Sequence, residues 1–173
     1  LLITMLLRRA GARDIIAVDP VPARRERALA AGAGVALAPD DELAQRVRER
    51  TGGRGADVAI EASGAPAALG QALAVLAVQG TAVVASWYGT KPVALDLGSD
   101  FHRRRLRIIS SQVGTIDPAL SPRWTHERRR DLVCALLEEL LLPGLVTHRV
   151  PFIRAAEAYR LIDTRPAEVL QVV

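Results

Sequence analysis

The chain has 173 residues, half of them hydrophobic and 24% charged, a composition that suits one globular domain with a core of its own. The net charge of +4 is carried by arginine, with Lys91 the only lysine, but acidic residues are interleaved with the basic ones in "RRERALA" and "ELAQRVRER". Those stretches read as solvated helix faces, and no apolar stretch reaches the ~18 residues of a membrane span, so neither a nucleic-acid nor a membrane partner is expected.

Residues 1–10 read as the end of an apolar helix stopped at Gly11. "DIIAVD" is a short, continuous, β-branched run, as in a buried parallel strand. Pro22 opens a helix that runs to about Ala31 and stops at Gly32. "GVALAPD" is a short strand and turn. Asp40 or Asp41 is expected to cap the helix that ends near Arg50. After the turn "TGGRG" come the strand "ADVAIEA", the helix "GAPAALGQALAVLA" with Pro66 in its first turn, and the strands "GTAVVASW" and "LRIISSQ". From about Ser121 the texture changes: "SPRWTHERRRDLVCALLEELLLPG" reads as a long helix, "VTHRVPF" as a strand, "IRAAEAYRLID" as a helix and "VLQVV" as a last strand.

Strands near 14–19, 34–37, 56–61, 81–86 and 106–111 alternate with helices. This is the pattern of βαβ units and a parallel sheet with right-handed crossovers. The expected fold class is α/β. Cys134, the only cysteine, excludes an internal disulfide and fits a reducing, cytoplasmic compartment. Its place in an amphipathic run predicts a buried thiol. The Arg103–Arg105 and Arg128–Arg130 clusters come without the stacking aromatics of single-strand binders.

Open α/β sheets bind ligands at the carboxyl ends of their strands. Asp19 ends "IIAVDP" in the place of a carboxylate that accepts hydrogen bonds from both ribose hydroxyls of a dinucleotide. Such a carboxylate repels a 2′-phosphate, so NAD is favoured over NADP. The other reading of Asp19 is a turn or helix cap. Arg24 and Arg25 are of the type NADP enzymes use, or else a solvated helix face. Ser63 and Gly64 end the next long strand, where Gly64 permits a close backbone approach or simply makes a turn. Ala85, Ser86 and Trp87 end the following strand, and Ser110, Ser111 and Gln112 the one after. Glu61 reads as a buried or strand-end residue of the scaffold. His102, His126 and His148 are scattered and do not assemble the three or four close ligands of a zinc site.

The order "VDP…R…A…GA", "TGGRGADVAIEASG", "L…QGTAVVASWYG" and "HRVPF…AAEAYRLID…EVLQVV" resembles the C-terminal portion of zinc-type medium-chain alcohol dehydrogenases across essentially the whole chain. "FHRRRLRIISSQVGTIDPALSPRW" is similar to a subgroup that includes the bacteriochlorophyllide a dehydrogenases. The resemblance implies an incomplete Rossmann-type domain over residues 1–120. Residues 121–173 would form a segment that returns to a catalytic domain. In that family a glycine loop lies about 20 residues before the ribose aspartate, so the resemblance implies a chain that starts just after the loop and its strand. The sheet would then lack a strand near the centre of six, and poor solubility or self-association is expected. By resemblance Arg24 lies over the adenosine ribose, and the backbone of Ala85, Ser86 and Trp87 lies under the nicotinamide.

The implied activity is hydride transfer between an alcohol or carbonyl substrate, a small molecule, and NAD, with zinc held by the catalytic domain. The isolated chain is expected to be inactive, and a homo-oligomer is possible in the family. A non-catalytic nucleotide-binding module or a decayed gene product is the alternative.

Overall fold

The structure, a computed structural model, describes residues 1–140 and 144–173. Residues 141–143, the end of the long helix expected from about Ser121, lie outside the described residues. Among the described residues, seven strands and six α-helices alternate through most of the chain. In order they are α1 (Leu2–Arg9), β1 (Ile16–Val18), α2 (Pro22–Ala30), β2 (Val35–Leu37), α3 (Leu43–Arg50), β3 (Ala56–Glu61), α4 (Pro66–Val75), β4 (Leu76–Val84), β5 (Arg107–Ser110), α5 (His126–Glu139), β6 (Val146–His148), α6 (Ala155–Thr164) and β7 (Gln171–Val172).

All strand pairs are parallel. β1 pairs with β2, β3 with β4, β4 with β5, and β6 with β7. The fold is thus mixed α/β, with parallel sheets flanked by helices. β1–β2 and β3–β4–β5 form separate hydrogen-bonded sheets, yet they share one core cluster. Leu43, Val47 and Val75 sit at its centre, with Ile16 of β1 and Leu37 of β2 on one side and Ala56 and Ala59 of β3 on the other. A second cluster packs Leu69 and Leu73 of α4 against Leu76, Ala82 and Leu106.

Proline at the first helical position starts both α2 and α4, where the missing N–H has no intrahelical partner to lose. α2 gives way to Gly32 at φ +106°, a left-handed position that glycine takes without a Cβ clash. Thr125 caps α5 by accepting from the Arg128 N–H.

Four local expectations are corrected. α3 begins at Leu43 after Glu42, without a side-chain cap. Asp40 instead accepts from the Glu42 N–H and pairs with Arg46. The helix expected through Ala77 ends at Val75, because Leu76 already pairs with Ala56 of β3 and Arg104 donates to the carbonyls of Leu73 and Leu76. A long-range cation therefore completes the helix end that local propensity would have extended. Cys134 is exposed rather than buried, since α5 has no buried residue among those described. Finally, the Arg128–Arg130 cluster does have an aromatic neighbour: the Arg128 guanidinium lies 4.5 Å from the Trp124 ring centroid.

Candidate functional site

Parallel pairing brings the carboxyl ends of β3, β4 and β5 to one edge. The Ala85 N–H donates to the Glu61 carbonyl and the Ser111 N–H to the Val84 carbonyl, each at 2.8 Å. These bonds set Ser63–Gly64, Ala85–Ser86–Trp87 and Ser110–Ser111 on neighbouring strand ends. Ser63, Ala85, Ser110 and Ser111 are exposed, Ser86 is half-buried, and Trp87 is 89% exposed.

Glu61 organises this edge. Its side chain is buried, with 4% of the residue exposed. One carboxylate oxygen accepts from the Ser63 N–H and hydroxyl, both at 2.6 Å, and from the Gly64 N–H at 3.1 Å. The other accepts from the Ser86 hydroxyl and from the Tyr88 hydroxyl at 2.7 Å. Burial pushes the Glu61 carboxyl up, but the bonds from Ser63, Ser86 and Tyr88 outweigh it and hold the group at about 2. The same pairing works in reverse on Tyr88: burial, and then the hydrogen bond and negative charge of Glu61, push the phenol up to about 12. A buried carboxylate normally costs several kcal/mol unless its lone pairs are satisfied. Here five donors satisfy it, and they come from both loops that flank the strand ends.

The two loops touch directly as well. Gly64 has φ +66°, and a Cβ placed on it would lie 3.0 Å from the Trp87 carbonyl oxygen. Lys91 donates to the Gly64 carbonyl at 2.5 Å. The Ser63 hydroxyl accepts from the Ala65 N–H at 3.1 Å, so it also shapes the entry to α4.

Asp19 and Arg24 stand at the end of the β1–β2 sheet. The Asp19 N–H donates to the Leu37 carbonyl, and one Asp19 carboxylate oxygen accepts from the Val21 N–H at 2.8 Å, a local Asx turn. Arg25 donates to the backbone carbonyls of Asp19 and Pro20 at 2.7 and 3.0 Å. Arg24 reaches the C-terminal segment, donating to the carbonyls of Pro166 and Val169. Both guanidiniums are thus held by backbone oxygens.

Sequence reasoning set Glu61 aside as scaffold and did not single out Tyr88. The available signal was the polar spacing "IEASG" followed by "SWYG" at the end of the next strand, two hydroxyl-bearing loops beside one acid. Among the described residues no group of three or more His, Cys, Asp or Glu side chains is placed to hold a metal ion. His126 contacts Arg129 and His148 contacts Thr147. No helix among the described residues is long and apolar enough to cross a membrane.

Known proteins resemble this chain in sequence and in fold. The chain is 32% identical to D-guloside 3-dehydrogenase of Escherichia coli strain K12, over 96% of this chain and 49% of that protein. In structure it is similar to the alcohol dehydrogenase TADH from Thermus sp. ATN1, with a TM-score of 0.78 and 25% identity, covering 98% of this chain and 46% of that one. The 2R,3R-butanediol dehydrogenase from Bacillus subtilis gives a TM-score of 0.77 at 25% identity, covering 98% of this chain and 46% of that one. The chain spans about half or less of the length of the curated relatives it matches over most of its residues. The family model described as zinc-binding dehydrogenase matches residues 1–127, and the chain belongs to that family.

Proposed function

We propose that the chain supplies the dinucleotide-binding part of an NAD-dependent, zinc-type dehydrogenase that moves a hydride between an alcohol or carbonyl and the nicotinamide. Residues 1–120 form the nucleotide-binding unit in this reading, and residues 121–173 a segment belonging with a catalytic domain. The observation that carries it is Asp19 at the end of β1. One of its carboxylate oxygens is used by the Val21 N–H, and both neighbouring arginines are bound to backbone carbonyls. The ribose end of the site is therefore an acceptor for hydroxyls and repels a 2′-phosphate.

The residues present fit the cofactor. Gly64 lets the loop after β3 lie against the Trp87 carbonyl, and the strand ends of β3, β4 and β5 present polar backbone along that edge. Bound NAD would supply the hydride chemistry. The chain's own residues bind and orient: Asp19 holds the ribose, and the loops carrying Ser63–Gly64 and Ser86–Trp87 line the nicotinamide side. The described residues offer no ligand set for zinc, which in this reading is held by the catalytic domain. On this reading the 173 residues alone do not turn over an alcohol, and the working enzyme is a cytoplasmic homo-oligomer acting on a small molecule.

The test is nucleotide binding to the 173-residue chain, read by NADH and NADPH fluorescence. NADH is expected to bind at least tenfold more tightly than NADPH, and Asp19→Asn to abolish that preference. Equal binding of the two nucleotides by the unaltered chain, or unchanged preference in the variant, would overturn the assignment of Asp19. Turnover of an alcohol by the isolated chain would overturn the division of labour.

A further inference from the structure

We propose that Glu61 is a positioning residue of the nucleotide site, fixing the hydroxyls of Ser86 and Tyr88 as acceptors and so selecting a ligand group that donates hydrogen bonds. The inference rests on the nucleotide reading above and deepens it. A carboxylate can only accept, whereas a hydroxyl has one proton and two lone pairs. Glu61 takes the protons of Ser63, Ser86 and Tyr88. What remains to Ser86 and Tyr88 toward a ligand is acceptance alone. Ser63 has already spent a lone pair on the Ala65 N–H, so its part is to shape the loop.

The polarity is fixed by the depth of the carboxylate and the number of its donors. Reversing one hydroxyl would leave a buried charge short of a partner, at a cost larger than an ordinary exchange of hydrogen bonds. The same carboxylate ties the loop after β3 to the loop after β4, so their separation is set by one side chain. A ligand amide –NH2 meets complementary oxygens at this edge, whereas a methyl ketone in its place leaves those oxygens without a donor.

The experiment compares binding of NADH with binding of the reduced 3-acetylpyridine analogue, in which a methyl group replaces the amide –NH2. The 173-residue chain is used throughout. The unaltered chain is expected to prefer NADH by about tenfold, the value of one hydrogen bond to a committed acceptor. In Glu61→Gln the side-chain amide no longer takes all three protons, the hydroxyls are free to reverse, and the preference is expected to fall below twofold. Ser86→Ala, which keeps the buried carboxylate and its bond to Tyr88, is expected to weaken the preference as well, and it serves where Glu61→Gln does not fold. A folded variant of either kind that keeps the tenfold preference overturns the inference while leaving the nucleotide site standing. So does an unaltered chain that binds both nucleotides equally. If the unaltered chain binds neither, the nucleotide reading falls and takes this inference with it.

Discussion

Tyr88 donates its phenolic proton to the carboxylate of Glu61 across 2.7 Å, joining the loop after β4 to the last residue of β3. The pair predicts a specific pH profile. The Glu61 carboxyl is held at about 2, below its ordinary value of 4.5, so its contribution is fully present above about 4.5 and is lost as pH falls toward 2. The Tyr88 phenol is raised to about 12 from 10.0, so its contribution is present below about 10 and is lost as pH rises toward 12. Unfolding free energies from urea titrations across pH for the unaltered chain and Tyr88→Phe are expected to differ most between these limits, by about 1–2 kcal/mol, and to converge toward both extremes. A difference that stays constant from pH 2 to 12 would contradict the pairing.

Leu76 is the hinge between α4 and β4, and none of its surface is exposed. It packs with Leu69, Leu73, Ala82 and Leu106. Leu76→Ala is expected to destabilise the fold by about 2–5 kcal/mol, through lost burial and the cavity left behind. Val78, two residues on in the same strand and 66% exposed, is the control. Val78→Ala is expected to change the urea midpoint little.

Gly64 is where glycine is required. At φ +66° a side chain is strained, and its Cβ would press on the Trp87 carbonyl at 3.0 Å. The neighbour is backbone and cannot swing away cheaply. Gly64→Ala is expected to cost about 1–3 kcal/mol and to weaken NADH binding, because the loop carrying Trp87 must retreat. Gly52, also at positive φ but with open space around its Cβ, isolates the conformational part of the cost: Gly52→Ala is expected to lose stability without affecting NADH.

The five strands of the main sheets were legible because each is a short apolar run closed by turn residues, and the parallel pairing follows from the helices between them. The end of α4 was not. "ALAVLA" is good helix sequence, and what stops it is Arg104, 28 residues beyond Leu76, together with pairing to β3. Glu61 was legible as a buried residue at a strand end, but its partners were not, for the same reason. Its acid and the Ser63 hydroxyl are neighbours in sequence, but Ser86 and Tyr88 arrive from 25 and 27 residues away. The reach of Arg24 to Pro166 and Val169 is likewise invisible until the C-terminal segment is placed. The placement of Asp19 just after a strand and of Gly64 in a turn was legible because both are local features of the chain.

The surface predicts self-association. β1–β2 and β3–β4–β5 are not joined by strand pairing, so unpaired backbone N–H and C=O groups remain along their edges. The segment before α6 adds apolar surface: Phe152 is 95% and Ile153 92% exposed, and Tyr159 and Ile162 are exposed as well. An apolar groove lined by Val150, Phe152, Ala158, Tyr159, Ile162 and Val172 runs along the same face. Contiguous exposed apolar surface of this kind drives association in water. Sedimentation velocity over a concentration series is expected to show species larger than the 18.6 kDa monomer. Phe152→Ser with Ile153→Ser is expected to shift that distribution toward the monomer. If the double variant associates as strongly as the unaltered chain, the sheet edges are the cause, and a charged residue on β1, such as Val18→Lys, is then expected to disperse it.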